Sequence, residues 1–376
     1  MTTPLSLPTA REPGQPNSRV LQVGTGCTYT TITAAITAAN TLTRTATSQV
    51  VLEIWPGTYT ETITLPTWTS IMGRTDGIIG DVQITNATNA STITLPTLTA
   101  PATSTNFIKN VRVTNTSDTT GTVPINQPAG TGASIVYITN CHIVKTMTAS
   151  IVARTFNLIS LNSTSASSVY GVVKNVIQGF DLAGAVSTTM RGILYVAGTM
   201  WITDNIIAVN LSNTTTAASA AGIILPAGVG SSTAHVHYNT IRITGPTPGG
   251  GGTSRLDGFV SSITHVAGDP NTFIGNLVSV LDGETNVGFQ HNVVAGQSRV
   301  AGNVIRVLTG NVANVGVTDG GLATIINALG NSVVVQAGGT KYSGVGGSVT
   351  FGVDVAVAPG PVATLTTVDG YVTVAT

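Results

Sequence analysis

Asn205-Ile206-Ile207-Ala208-Val209, Asn239-Thr240-Ile241-Arg242-Ile243, Asn276-Leu277-Val278-Ser279-Val280, Asn303-Val304-Ile305-Arg306-Val307 and Asn331-Ser332-Val333-Val334-Val335 repeat one pattern. Asn175-Val176-Ile177 begins the same way. Asn110-Val111-Arg112-Val113 and Asn140-Cys141-His142-Ile143 are looser copies with the apolar phase shifted by one. From Asn110 to Asn331 the intervals are 30, 35, 30, 34, 37, 27 and 28 residues. A period near 30 is an internal repeat, and it decides the fold before any single element does.

An asparagine tolerates the left-handed backbone of a sharp corner, and its short amide bonds to nearby backbone. Val and Ile at alternate positions then build a strand with one buried face. Strand, Asn corner and strand at this period describe one coil of a parallel β-helix. Each asparagine is expected at its corner, stacked on the one before at roughly 4.8 Å. An antiparallel sandwich or propeller is the alternative, but it needs two-residue Asn-Gly or Asp-Gly hairpins, which are scarce here. A second series supports the coil: Gly192-Ile193-Leu194, Gly222-Ile223-Ile224, Gly258-Phe259-Val260 and Gly288-Phe289 recur at 30, 36 and 30 residues and read as another strand of each coil.

The composition excludes several partner classes. Only 8% of the 376 residues are charged, with 15 basic against 15 acidic, where about 25% is usual. Phosphate binding needs clustered Lys and Arg, so nucleic acid is not expected, nor is an anionic membrane surface. No apolar run is long enough to span a bilayer, and Met1 to Arg19 lacks the apolar segment of a secretory signal. Cys27 and Cys141 read as two buried thiols, with a disulfide as the alternative.

Residues 1–19 hold four prolines without periodicity and read as an extended anchoring arm, docked on a partner or on the chain itself. Residues 20–335 form the β-helix, opening with a short strand at 20–23. Residues 31–42 place Ile32, Ala35, Ile36, Ala39 and Leu42 at helical spacing, with Thr28 or Thr30 as cap. An open end of a β-helix exposes apolar rungs and strand edges, so this helix is expected to cap it. Residues 76–109 read as two less regular coils. Thr214 to Ala221 and the Gly-rich 245–254 read as loops. Residues 336–376 read as hairpin-like strands with a turn at Pro359-Gly360-Pro361, forming a C-terminal β cap or an oligomerisation element.

The helix Thr31-Ile32-Thr33-Ala34-Ala35-Ile36, the segment Pro56-Gly57-Thr58-Tyr59-Thr60-Glu61, Ile63-Thr64-Leu65-Pro66 and Ile71-Met72-Gly73 together resemble the opening of pectin lyase-like right-handed β-helix proteins. That group includes pectin esterases, polysaccharide lyases and phage tailspikes. The resemblance covers residues 20–75 in sequence and implies a right-handed, single-stranded parallel β-helix. It carries fold and not activity. The esterase strings with "QD" and "DFIFG" are absent, and Phe289-Gln290-His291-Asn292 is the nearest approach. Trp201-Ile202-Thr203-Asp204-Asn205 lacks the His of the lyase-like "WIDH", and the polygalacturonase "NTD", "DD" and "GHG" strings are absent.

The remaining candidate chemistry is a carboxylate group of Asp257, Asp282 and Glu284, as glycosidases use. Asp257-Gly258 and Asp282-Gly283 read first as simple turn residues, ahead of that chemistry. His235 and His237 alternate on one strand, with His265 and His291 further along, but no Cys or carboxylate joins them at metal-ligand spacing, so neither metal nor cofactor is expected. The opening, the missing catalytic strings, the absent export signal, the anchoring arm and the C-terminal cap together point to a non-enzymatic virion protein of a bacteriophage. It would be a capsid decoration (cement) or spike protein, made in the host cytoplasm and assembled as a homotrimer. Its arm would grip the major capsid protein or a tail protein, with a host surface glycan as a further partner. A tailspike-like polysaccharide depolymerase and a glycan-binding surface module are the alternatives.

Overall fold

A computed structural model of the chain describes residues 19–74, 81–119, 121–148, 154–182, 188–211, 218–225, 232–245, 255–262, 271–291, 296–308, 313–319, 324–336, 339–344, 349–351, 365–368 and 371–374. Three sheets share nearly all the strands. A first sheet of twelve strands runs from Arg19–Val23 to Val349–Phe351. A second of ten runs from Gly57–Thr60 to Ser332–Val335, and a third of ten from Ile63–Thr64 to Thr340–Gly344. From Val50–Ile54 to Thr324–Leu329 the chain visits the sheets in turn, so that strands three apart in sequence pair in parallel. This is a right-handed parallel β-helix.

The alternation read in the sequence sets which side chains enter. In Ile206–Leu211, Ile207, Val209 and Leu211 are buried while their neighbours face outward. Register then stacks like on like: Ile207 pairs with Ile241, Ile241 with Val278, Val278 with Ile305 and Ile305 with Val333. Each such buried side chain contributes about 1.5–3 kcal/mol by leaving water. Inside the third sheet, Phe259 and Phe289 stack at 5.0 Å between ring centroids, with Phe273 of the first sheet at 4.9 Å from Phe259.

The corners between first and second sheets carry the asparagine ladder. The backbone N–H of Asn175 donates to Oδ1 of Asn205 at 2.9 Å, that of Asn205 to Asn239 at 3.0 Å and that of Asn239 to Asn276 at 2.9 Å. Asn276 to Asn303 at 2.8 Å and Asn303 to Asn331 at 2.9 Å complete the series. Side-chain amides join the same partners at 2.9 to 3.0 Å. The ladder asparagines do not themselves take the left-handed backbone that the sequence suggested. That conformation lies one residue earlier, at Lys174, Asp204, Tyr238, Gly275, Gly302 and Gly330, with φ between 56° and 66°. Asn110 and Asn140 do occupy this earlier position, with φ of 58° and 54°, and their side chains meet outside the ladder, Asn140 Nδ2 donating to Asn110 Oδ1 at 2.7 Å. Cys141 fills the ladder place in its coil, its N–H donating to Asn175 Oδ1 at 2.9 Å. The one-residue phase shift in those two copies is therefore real.

At the N-terminal end the helix Ile32–Asn40 packs on the first strands of the first sheet. Its N-cap is Thr31, whose hydroxyl accepts from Ala34 N at 3.2 Å, and not Thr28 or Thr30. Glu61 adds what the sequence pattern did not explain. Its carboxylate accepts from the N–H groups of Ile32 and Thr33 at 2.9 and 2.8 Å and from the Thr33 hydroxyl at 2.6 Å. Free N–H groups and the helix dipole both favour an anion there. Glu61→Ala is expected to cost about 1–2 kcal/mol, with hydrogen exchange accelerated over residues 32–40 while the central coils keep their protection.

Two boundaries shift. Over residues 81–109 the strands are Val82–Asn86, Ile93–Thr94 and Thr103–Lys109, one for each sheet. That is one coil where two were expected, because the Thr-rich alternation of residues 95–102 forms no strand. The β-helix also continues past 335. Thr340–Gly344 extends the third sheet in parallel with Ala313–Asp319, and Val349–Phe351 extends the first in parallel with Thr324–Leu329. Among the described strands, Leu365–Val368 and Tyr371–Val374 pair as an antiparallel hairpin. The arm before Arg19, the Gly-rich loop after Gly245 and Pro359-Gly360-Pro361 lie outside the described residues.

Candidate functional site

Asp257 lies on Arg255–Ser261 of the third sheet. Leu256 and Phe259 fill the interior beside it, while Asp257 turns with Arg255 to the other side of the strand. Arg255 grips it: Nε lies 3.0 Å from Oδ2 and 3.2 Å from Oδ1, and a terminal nitrogen lies 3.1 Å from Oδ1. Arg255 also donates to Gln290 of the next coil. Burial pushes the Asp257 carboxyl up, and the Arg255 guanidinium pulls it back down.

Asp282 and Glu284 sit on a different segment. Asp282 ends the strand Leu277–Leu281 in the left-handed conformation, φ 67°, and Glu284 precedes Thr285–His291. Register sets Val287 opposite Asp257. Glu284 is three residues earlier, roughly 10 Å along the strand. Within the third sheet the positions flanking Asp257 in register are Ala221 and Val287, neither of which ionises. Asp257 is thus a buried ion-pair partner of Arg255. Because Arg255 is 47% exposed and stays solvated without its partner, and Asn avoids the desolvation of a buried carboxylate, Asp257→Asn is expected to change stability by no more than about 1 kcal/mol, read as the midpoint of urea unfolding.

His235 and His237 share one hydroxyl: Nδ1 of His235 and Nε2 of His237 lie 2.9 and 2.7 Å from Thr272 Oγ1. Trp201 stacks on His235 at 5.6 Å, and Tyr238, 63% exposed, meets the edge of His237 at 6.1 Å. Burial, and then His235, push the His237 imidazole down, which favours a neutral ring. His291 is buried with its ring 6.4 Å from Phe289, and His265 lies outside the described residues. Among the described residues no three His, Cys, Asp or Glu side chains converge as metal ligands, and no helix is long and apolar enough to cross a membrane.

The cysteines are free. Cys141 is buried and its thiol is pushed up to about 12 by that burial, so it is chemically quiet. Cys27 is half-buried, not fully buried as the sequence suggested. Sequence reasoning passed over Lys145, which is wholly buried. Its signal was phase: Lys145 stands two residues from Ile143 and two from Met147, both interior.

No protein-family model matches the chain, and no curated protein matches it. Among solved structures, a pectin methylesterase from Aspergillus niger aligns over 90% of this chain and 91% of its own, with 14% sequence identity and a TM-score of 0.34. So slight a likeness carries no argument about the site. The fold rests on the chain's own strand pairing and amide ladder, and by these the protein is a right-handed parallel β-helix.

Proposed function

We propose that the protein is a non-enzymatic structural protein of a bacteriophage virion, a β-helical capsid decoration or spike that assembles as a homotrimer. Its N-terminal arm would bind the major capsid protein or a tail protein. The observation that carries this reading is the unbroken amide ladder from Asn175 to Asn331. It stiffens the rod along its length, which a load-bearing appendage needs. The resemblance of residues 20–75 to openings shared by phage tailspikes supplies the virion setting. The candidate acids support it from the other side, since Asp257 is held by Arg255. A rigid neutral rod set across capsomer joints would bury area there and hold the shell against internal pressure. The exposed Tyr238, beside His237, Trp201 and His235, is the face offered to a host surface glycan.

The test is the copy number in purified virions relative to the major shell protein. Hundreds of copies place it on the capsid and a few copies place it on the tail, both as proposed. Absence from the particle overturns the reading. Release of reducing sugar from a host polysaccharide, lost in the Asp257→Ala, Asp282→Ala, Glu284→Ala triple variant, would instead establish the depolymerase.

A further inference from the structure

Inside the coil that follows Asn110, two wholly buried polar side chains meet. Asn115, on Arg112–Asn115, and Lys145, on His142–Met147, are directly paired in register on adjacent strands of the second sheet. Nζ of Lys145 lies 2.6 Å from Oδ1 of Asn115, 2.6 Å from the carbonyl oxygen of Ser117 and 3.0 Å from Oγ1 of Thr122. The Phe156 ring closes the fourth side, its centroid 4.8 Å from Nζ. All three acceptors are neutral. A buried cation whose hydrogen-bond acceptors are all neutral costs several kcal/mol, which Asp118 offsets only in part, so this arrangement calls for an explanation beyond packing.

We propose that Lys145 and Asn115 join in an intramolecular isopeptide bond. Each part of an acyl transfer is in place. The nucleophile is an amine in a dry pocket against the electrophilic carboxamide, where proximity replaces a bimolecular encounter. The carboxamide oxygen accepts the Ser117 backbone N–H at 3.2 Å, which stabilises charge developing on it. The departing nitrogen, Asn115 Nδ2, is oriented by the Ala90 carbonyl oxygen at 3.0 Å and the Thr92 hydroxyl at 3.2 Å. Burial pushes the Lys145 ammonium down to about 7, against an opposing pull from Asp118, so a neutral amine is present near neutral pH.

The step balances without oxidant or cofactor. The Nζ lone pair attacks Cγ of Asn115 and a C–N bond forms. The Cγ–Nδ2 bond breaks, the amine gives up one proton, the leaving nitrogen gains it, and ammonia departs. The Thr122 hydroxyl lies in hydrogen-bond reach of Nζ, where the proton is lost, and the Thr92 hydroxyl in reach of Nδ2, where it is gained. The product is neutral, removes the buried charge and ties two successive coils covalently.

The experiment is the intact mass of the purified full-length chain followed by a tryptic map. The expected mass is lower by one ammonia than the sequence requires. Trypsin should fail to cut after Lys145, leaving residues 113–154 as one internally looped peptide lighter than its sequence by one ammonia. Lys145→Met and Asn115→Ala should each restore the full sequence mass, a readout that does not depend on either variant folding. A wild-type chain at full sequence mass after prolonged native incubation overturns the proposal. So does an ammonia loss that leaves Lys145 cleavable, since that loss would belong to another asparagine.

Discussion

Asn239→Ala is expected to destabilise the folded chain by about 3–5 kcal/mol. The wild-type amide works in both directions along the axis. Its Oδ1 accepts from the backbone N–H and the side-chain amide of Asn205, at 3.0 and 2.9 Å. Its Nδ2 donates to the carbonyl oxygens of Ile202 and His237 and to Oδ1 of Asn276, at 2.9, 3.0 and 3.0 Å. Truncation leaves the buried Asn205 N–H and the Ile202 carbonyl without this partner, and each such group costs about 1–3 kcal/mol. Asn331 ends the series, where its Nδ2 donates to Val300 O at 2.7 Å and its bonds are only partly buried. Asn331→Ala should therefore cost about 1–2 kcal/mol. Urea unfolding of the two variants side by side checks the difference. Equal losses would mean that the ladder is not the stabilising device argued here.

The second large effect is expected at Gly258. A Cβ there would lie 2.5 Å from the carbonyl oxygen of Gly288 and 2.4 Å from Cγ1 of Val278. Gly192 and Gly222 meet the next glycine's carbonyl in the same way, at 2.4 and 2.6 Å. The glycine series is thus a column in which one coil's backbone rests against the next. Gly258→Ala is expected to cost about 2–4 kcal/mol through overpacking. Gly302→Ala is the control. Nothing lies within 4 Å of its Cβ, and only its φ of 62° opposes a side chain, so it should lose about 1–2 kcal/mol. Thermal unfolding of the pair separates lack of space from backbone strain.

The sequence made the coil legible because the coil repeats a side chain's job. Each ladder asparagine before Asn331 bonds to the one after it, so its identity recurs from Asn175 to Asn331. The residue that bends the backbone was harder to find. Lys, Asp, Tyr and Gly all serve there, because tight pairing on both sides pays for a left-handed residue of any type. The phase shift at Asn110 and Asn140 was visible in the letters, but its meaning needed the register. Glu61 was quoted as part of an opening motif, and its bonds to the helix N-terminus are contacts across 28 and 29 residues that no local pattern carries. The carboxylate trio was drawn together by scarcity of acids. Register separates it by placing Val287, not an acid, opposite Asp257. Lys145 stood at an interior phase, yet a lysine among strand residues reads as surface until its neighbours are known.

The most direct test of the central claim is an experimental density map resolved well enough to place side chains, from crystals or from particles. The account predicts Asn175, Asn205, Asn239, Asn276, Asn303 and Asn331 in one file, successive Cα atoms roughly 4.8 Å apart and each Oδ1 facing the preceding backbone N–H. A map with antiparallel sheets joined by tight turns, and these six residues dispersed over the molecule, would contradict it.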